Sequence, residues 1–175
     1  LAIDPVGGDI VQLNLPKFPR RQDHPDIPFQ LFDNGGERVY LAQSGLTGAN
    51  GPDARPAGRP LYAADQKGYQ LADGQDQLVV DLKFSDNGVN YIKRFSFKRG
   101  EYDLNVSYLI DNQSGQAWSG NMFAQLKRDA SSDPSSSTAT GTATYLGAAL
   151  WTASEPYKKV SMKDIDKGSL KKNVS

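Results

Sequence analysis

The sequence predicts an all-β, antiparallel fold with at most one or two short helices. Three observations carry this. Between Leu78 and Ile110, apolar and polar residues alternate through three consecutive runs, the period of strands with one buried and one wet face. The breaks between the runs are turn residues, Asn87-Gly88 and Arg99-Gly100. The chain also carries 17 Gly and 10 Pro in 175 residues, which suits a turn-rich β protein better than a helix bundle.

Taken in order, Ile10 to Leu15 alternates and follows Gly7-Gly8, a pair that permits a tight turn. Pro16, Pro19, Pro25 and Pro28 then read as a charged loop, because proline lacks the donor that a ladder needs. Phe29 to Phe32 and Arg38 to Gln43 read as short strands around Asn34-Gly35-Gly36. Ser44 to Pro60 is dense in Gly and Pro, so it is predicted to be neither helix nor regular sheet. A loop this long is functional or packed on itself. It is expected to be ordered, anchored at Leu46, Leu61 and Tyr62, since proline also restricts the unfolded chain.

Tyr62, Tyr69 and Leu71 lead through Asp73-Gly74 into the meander. Its strands are predicted over Leu78–Phe84, Val89–Phe97 and Tyr102–Ile110, as adjacent antiparallel neighbours. Asn87-Gly88 suits a primed turn, in which both central residues take positive φ. Phe84, Phe95, Phe97, Leu104, Val106 and Tyr108 fall on the apolar face and are expected to be buried. After a turn at Asp111–Gly115, Trp118 to Leu126 reads as another strand. Ser131 to Thr144 is a low-complexity tract, expected to be a mobile surface loop. Ser161 and Asp164 have the spacing to cap one helical turn. There is no internal repeat and no domain boundary, so residues 1–175 read as one domain.

The bulk numbers exclude several function classes. Lys plus Arg and Asp plus Glu are 20 each, and zero net charge argues against a nucleic-acid binder, which shows a basic excess. There is no cysteine, hence no disulfide scaffold and no thiolate metal site. No run approaches the ~20 apolar residues that span a bilayer. No signal peptide is visible; the first residues already read as strand, so the chain is expected to start inside a larger protein.

Individual motifs carry little chemistry. His24 is the only histidine; it reads as a solvated residue, since no second histidine can share a metal and nothing fixes it beside a nucleophile. Gly45, Gly48 and Gly51 lack the Lys-Ser/Thr of a phosphate loop. Asp33-Asn34-Gly35 and Asp86-Asn87-Gly88 read as turns, because neither continues into calcium-loop spacing. Asn105-Val-Ser107 and Asn112-Gln-Ser114 match the glycosylation acceptor pattern, which arises often by chance. Trp118 and Trp151 have the chemistry to stack on a sugar, but packing roles are the commoner use of such residues. No enzyme, cofactor or metal site is predicted.

Several stretches together resemble one family. The segment AQSGLTGANGPDARPAGRPLY (42–62) is similar to a loop in the large periplasmic domain of the YidC family of bacterial membrane-protein insertases. GGDI at Gly7–Ile10, LPKFP at Leu15–Pro19, PFQLF at Pro28–Phe32 and YQLADGQ at Tyr69–Gln75 resemble that domain in the same order. So do FKRGEYDLNVSY at Phe97–Tyr108, FAQLKRD at Phe123–Asp129 and YLGAALWT at Tyr145–Thr152. The resemblance implies a β-supersandwich related to the galactose-mutarotase fold. It implies a periplasmic location at the inner membrane, within a fragment of a larger membrane protein whose domain continues with more strands. It implies no catalysis, because the mutarotases need several histidines. As partners it implies the Sec translocon accessory subunits, SecDF, and substrate membrane proteins. A carbohydrate- or peptide-binding sandwich module is the alternative.

The region that the resemblance ties to SecDF is Tyr145–Ser175, aromatic and then basic. Beyond Tyr157 it holds six lysines against two aspartates. Tyr145, Trp151, Tyr157, Lys158 and Lys159 are the expected partner-binding residues, because interface anchors are enriched in aromatics and lysines steer acidic partners or sit near anionic lipid headgroups. The competing expectation is that Tyr145 and Trp151 complete the core and the lysines merely solvate an edge.

Overall fold

A computed structural model describes residues 1–132 and 145–171. In chain order its strands are β1 (Ala2–Asp4), β2 (Asp9–Arg21), β3 (His24–Phe32), β4 (Tyr40–Thr47) and β5 (Ala63–Ala64). Then come β6 (Gln77–Asp86), β7 (Val89–Lys98), β8 (Leu104–Asn112), β9 (Asn121–Arg128), β10 (Gly147–Leu150) and β11 (Lys158–Ser161), followed by helix α1 (Met162–Lys167). They form one sheet of order β1-β2-β4-β9, with β3 on β2, a second of order β5-β6-β7-β8, and a two-stranded ribbon, β10-β11. All pairings are antiparallel. The fold is an all-β sandwich, with one short α-helix among the described residues.

The meander forms as its alternation predicts. β6 pairs with β7 without a break from Gln77↔Lys98 to Asp86↔Val89, and β7 pairs with β8 from Val89↔Asn112 to Phe97↔Leu104. Asn87 and Gly88 take φ of 49° and 76°, the left-handed pair of a primed hairpin. Side chains from both sheets then close the core. Ile10 of β2 meets Val80, Leu82, Phe95 and Tyr62, and Leu46 of β4 meets Val89 and Tyr91. Phe95 is fully buried. Phe84, Phe97, Leu104, Val106 and Tyr108 are only half-buried. For the β8 residues the reason is that β8 ends its sheet among the described residues, so no further described strand covers that flank.

Several expected strand and loop positions need correction. The proline-rich stretch is not a loop: β2 and β3 run through it as a two-stranded extension, Arg21 opposite His24. Its register shifts between Leu15 and Pro19 and again between Pro19 and Arg21, and such irregular ribbon is where strands admit proline. Ser44–Thr47 is strand, not loop, because β4 pairs residue for residue with β9 from Tyr40↔Arg128 to Thr47↔Asn121. Tyr102 precedes β8 and is exposed, its ring edge-on to Phe18. Trp118–Gly120 precedes β9 and is not strand.

The rest of the Gly/Pro segment packs on itself. Pro52–Ala54 makes a short 3-10 turn, and the Asp53 carboxylate accepts from the Leu46 amide at 2.8 Å. Leu46 and Tyr62 are buried anchors as expected; Leu61 instead faces solvent, 65% exposed. The capped turn is present, with the Ser161 hydroxyl accepting from the Asp164 amide at 3.2 Å. The low-complexity tract lies, for residues 133–144, outside the described residues.

Candidate interaction surface

All five residues singled out for partner binding fall on or beside the β10-β11 ribbon. Tyr145, Trp151 and Tyr157 are 41%, 73% and 66% exposed, so neither Tyr145 nor Trp151 is enclosed in a core among the described residues. The ribbon pairs Gly147↔Ser161 through Leu150↔Lys158. Consecutive strand residues point to opposite faces, so Lys158 and Lys159 serve different sides. Lys159 Nζ sits 4.8 Å from the Tyr145 ring centre and 5.5 Å from that of Tyr157, within cation–π range of both. Lys158 Nζ lies 3.4 Å from Glu155 Oε1. The structure thus brings Tyr145, Tyr157 and Lys159 together, puts Lys158 on the other face, and leaves Trp151 at the start of the hairpin loop.

A groove of about 970 Å³ runs along the ribbon, lined by Ala148, Leu150, Val160, Ile165 and Leu170. Leu150, Ile165 and Leu170 were not singled out from the sequence. Leu150 ends a four-residue strand, Ile165 lies in a six-residue helix and Leu170 follows it, so each run is too short for its period to show.

A second set of residues was missed because it is buried. Lys93 lies in β7 on the apolar face with Val89, Tyr91 and Phe95, and none of its surface is exposed. Its Nζ donates to the carbonyls of Gly7 (2.9 Å) and Ser44 (2.8 Å), crossing from one sheet to the other. Arg59 donates from Nη2 to the same two carbonyls, from Nε to Asp53 at 2.8 Å and from Nη1 to Asp9 at 2.5 Å. Gln43 Nε2 also donates to Asp9. Two cations and two carboxylates therefore close a neutral buried node. Burial pulls the Lys93 ammonium down to about 8. Gly7 must be glycine: its φ is +76°, and a Cβ there would meet the Arg59 guanidinium. All four Lys93 and Arg59 targets are main-chain carbonyls or carboxylates, so the node ties the N-terminal turn, β4, β7 and the Gly/Pro segment together. The readable signal was the lysine on an otherwise apolar parity.

A cleft of about 730 Å³ opens at one end of the sandwich, between the Gly48–Ala57 segment, the β6-β7 turn and the loop before β9. Its floor is Tyr91, whose hydroxyl donates to the Asn50 carbonyl at 3.1 Å and accepts from Trp118 Nε1 at 3.0 Å. On its wall Arg55 pairs with Asp86 at 3.3 Å and stacks over Phe84 at 4.7 Å. Trp118 therefore packs, as expected, while keeping one side toward the cleft.

Comparison with known proteins gives a consistent result. The family model described as the YidC periplasmic domain matches residues 1–175. The chain is 95% identical over 175 residues to the membrane protein insertase YidC of Pseudomonas putida strain GB-1. It is 89% identical over 175 residues to that of Pseudomonas entomophila strain L48. It is 79% identical over 174 residues to that of Pseudomonas syringae pv. tomato strain DC3000. It spans 31% of the length of these relatives.

Proposed function

Since the chain belongs to the YidC periplasmic domain family, we propose that it serves a membrane protein insertase as a non-catalytic interaction domain at the periplasmic face of the inner membrane. The partners in this reading are the SecDF subunits that act beside the Sec translocon, with substrate membrane proteins as a second class. The observation that carries it is the exposed ribbon, where Tyr145, Trp151 and Tyr157 stand in solvent beside Lys158 and Lys159. Aromatic rings supply contact area at low entropic cost. The lysines supply long-range attraction for an acidic surface.

Charge reversal tests it. The double variant K158E/K159E in the intact insertase should lower capture of SecDF roughly tenfold at low ionic strength, with the gap narrowing as salt rises, because exposed charges are screened. Equal capture by variant and wild type at low salt would place docking elsewhere. The alternative, a carbohydrate- or peptide-binding module, draws support from the Trp118–Tyr91 cleft, whose indole, amide and carboxylate groups suit a polar ligand.

A further inference from the structure

We propose that the tip of the β10-β11 hairpin rests in the headgroup layer of an anionic phospholipid bilayer. The proposal rests on reading the ribbon as an interaction surface, and assigns its tip to lipid while its flat face serves protein. Trp151 and Tyr157 stand at the two ends of the loop that joins the strands, and Leu150 and Lys158 are the last paired residues beneath them. Trp151 and Tyr157 are the most exposed aromatic side chains of the ribbon, and Leu150 is 37% exposed. Rings of this kind, apolar in body and polar at one edge, favour the membrane–water boundary. Lysines near an anionic leaflet add attraction while their stems lie along apolar surface.

Three details favour lipid over a protein pocket at this spot. The tip is preorganised: Thr152 and Glu155 exchange main-chain hydrogen bonds at 3.2 Å each, and Thr152 Oγ1 accepts from the Glu155 amide at 3.0 Å. Tyr157 holds a φ of +69°, strained for a bulky residue, yet its ring is left in solvent instead of being buried. Strain kept at a ring that remains 66% exposed points to function. Charge has one sign apart from a single group. Between Tyr145 and Lys163 the sequence has three lysines and one carboxylate, Glu155, which lies against Lys158. Protein hot spots cluster in central pockets, whereas Trp151 and Tyr157 flank a loop end, an arrangement a fluid interface accepts.

The test is flotation of the purified chain with vesicles of phosphatidylcholine alone and with added phosphatidylglycerol, at low salt. Expected is binding to the anionic vesicles only, with quenching of tryptophan fluorescence by brominated lipid that disappears in W151A. W151A/Y157A and K158E/K159E should each lower binding about tenfold; Trp151, Tyr157 and Lys159 are exposed and Lys158 is half-buried, and circular dichroism checks that the fold persists. Absence of binding, equal binding to both vesicles, or wild-type binding by W151A/Y157A would overturn the proposal. If vesicle binding fails while K158E/K159E still loses SecDF, the lipid assignment falls and the docking reading stands. If vesicle binding holds while SecDF capture is unchanged, the reverse follows.

Discussion

Replacing Arg59 by alanine is expected to lower the unfolding free energy by about 3–5 kcal/mol, the usual consequence of removing one partner from a buried ionic set. The Asp53 and Asp9 side chains are only 2% and 8% exposed, and Asp9 Oδ1 already has no hydrogen-bond partner. Without the guanidinium, two carboxylates would share one ammonium, Asp53 would lose the bond from Arg59 Nε and Asp9 the bond from Nη1. Urea denaturation of wild type and R59A measures the difference; a loss below about 1 kcal/mol, the size of an exposed pair, would mean the node is not the lock described here.

The second large effect is a dependence on pH. The Lys93 ammonium is held down to about 8 from its ordinary 10.5 by burial, against the favourable fields of Asp9 and Asp53, with Arg59 opposing. Rings of Phe95 and Tyr108 face it at 5.5 and 5.6 Å. A depressed lysine means that the folded chain binds fewer protons than the unfolded one between about pH 8 and 10.5. Stability therefore rises with pH across that window, by up to about 3 kcal/mol for a shift of this size. Burial also pushes the Tyr108 hydroxyl up to about 12, and Tyr62 further in the same direction. Those groups favour the fold below the ordinary tyrosine pKa of 10 and lose that contribution above it, so the rise should turn over near pH 10.

Lys93→Met isolates the lysine. Methionine is close to lysine in length and carries no charge, and Arg59 still donates to both carbonyls that Lys93 holds. The variant should show a flat profile from pH 8 to 10, with stability at pH 7 changed far less than in R59A, as buried ionic groups replaced by apolar ones often behave. A wild-type profile that falls between pH 8 and 10, or a variant that keeps the rise, would contradict the assignment.

What the sequence revealed depended on whether one local period persisted long enough. The meander was readable because three runs keep strand alternation and Asn87-Gly88 fixes the turn. The Ser161 cap was readable because it needs only four residues. Lys93 was missed for the opposite reason: a charge within the apolar parity reads as noise until its partners are known. Those partners, Gly7, Asp9, Ser44, Asp53 and Arg59, come from segments that only the fold brings together. The prolines between Leu15 and Pro28 argued against strand locally, and an irregular two-stranded extension tolerated them. Composition marked the end of the chain as aromatic and basic, but whether Tyr145 and Trp151 turned inward or outward depended on what packs over the ribbon.

Under the docking proposal, contact with protein partners lies on the β10-β11 ribbon. Site-specific photo-crosslinking in cells tests it most directly, with a photoreactive residue at Tyr145 on the ribbon and another at Gln116 in the cleft of the intact insertase. Expected is an adduct with SecDF from position 145 and none from position 116. An adduct from 116 alone would contradict it and move the interaction to the Trp118–Tyr91 cleft.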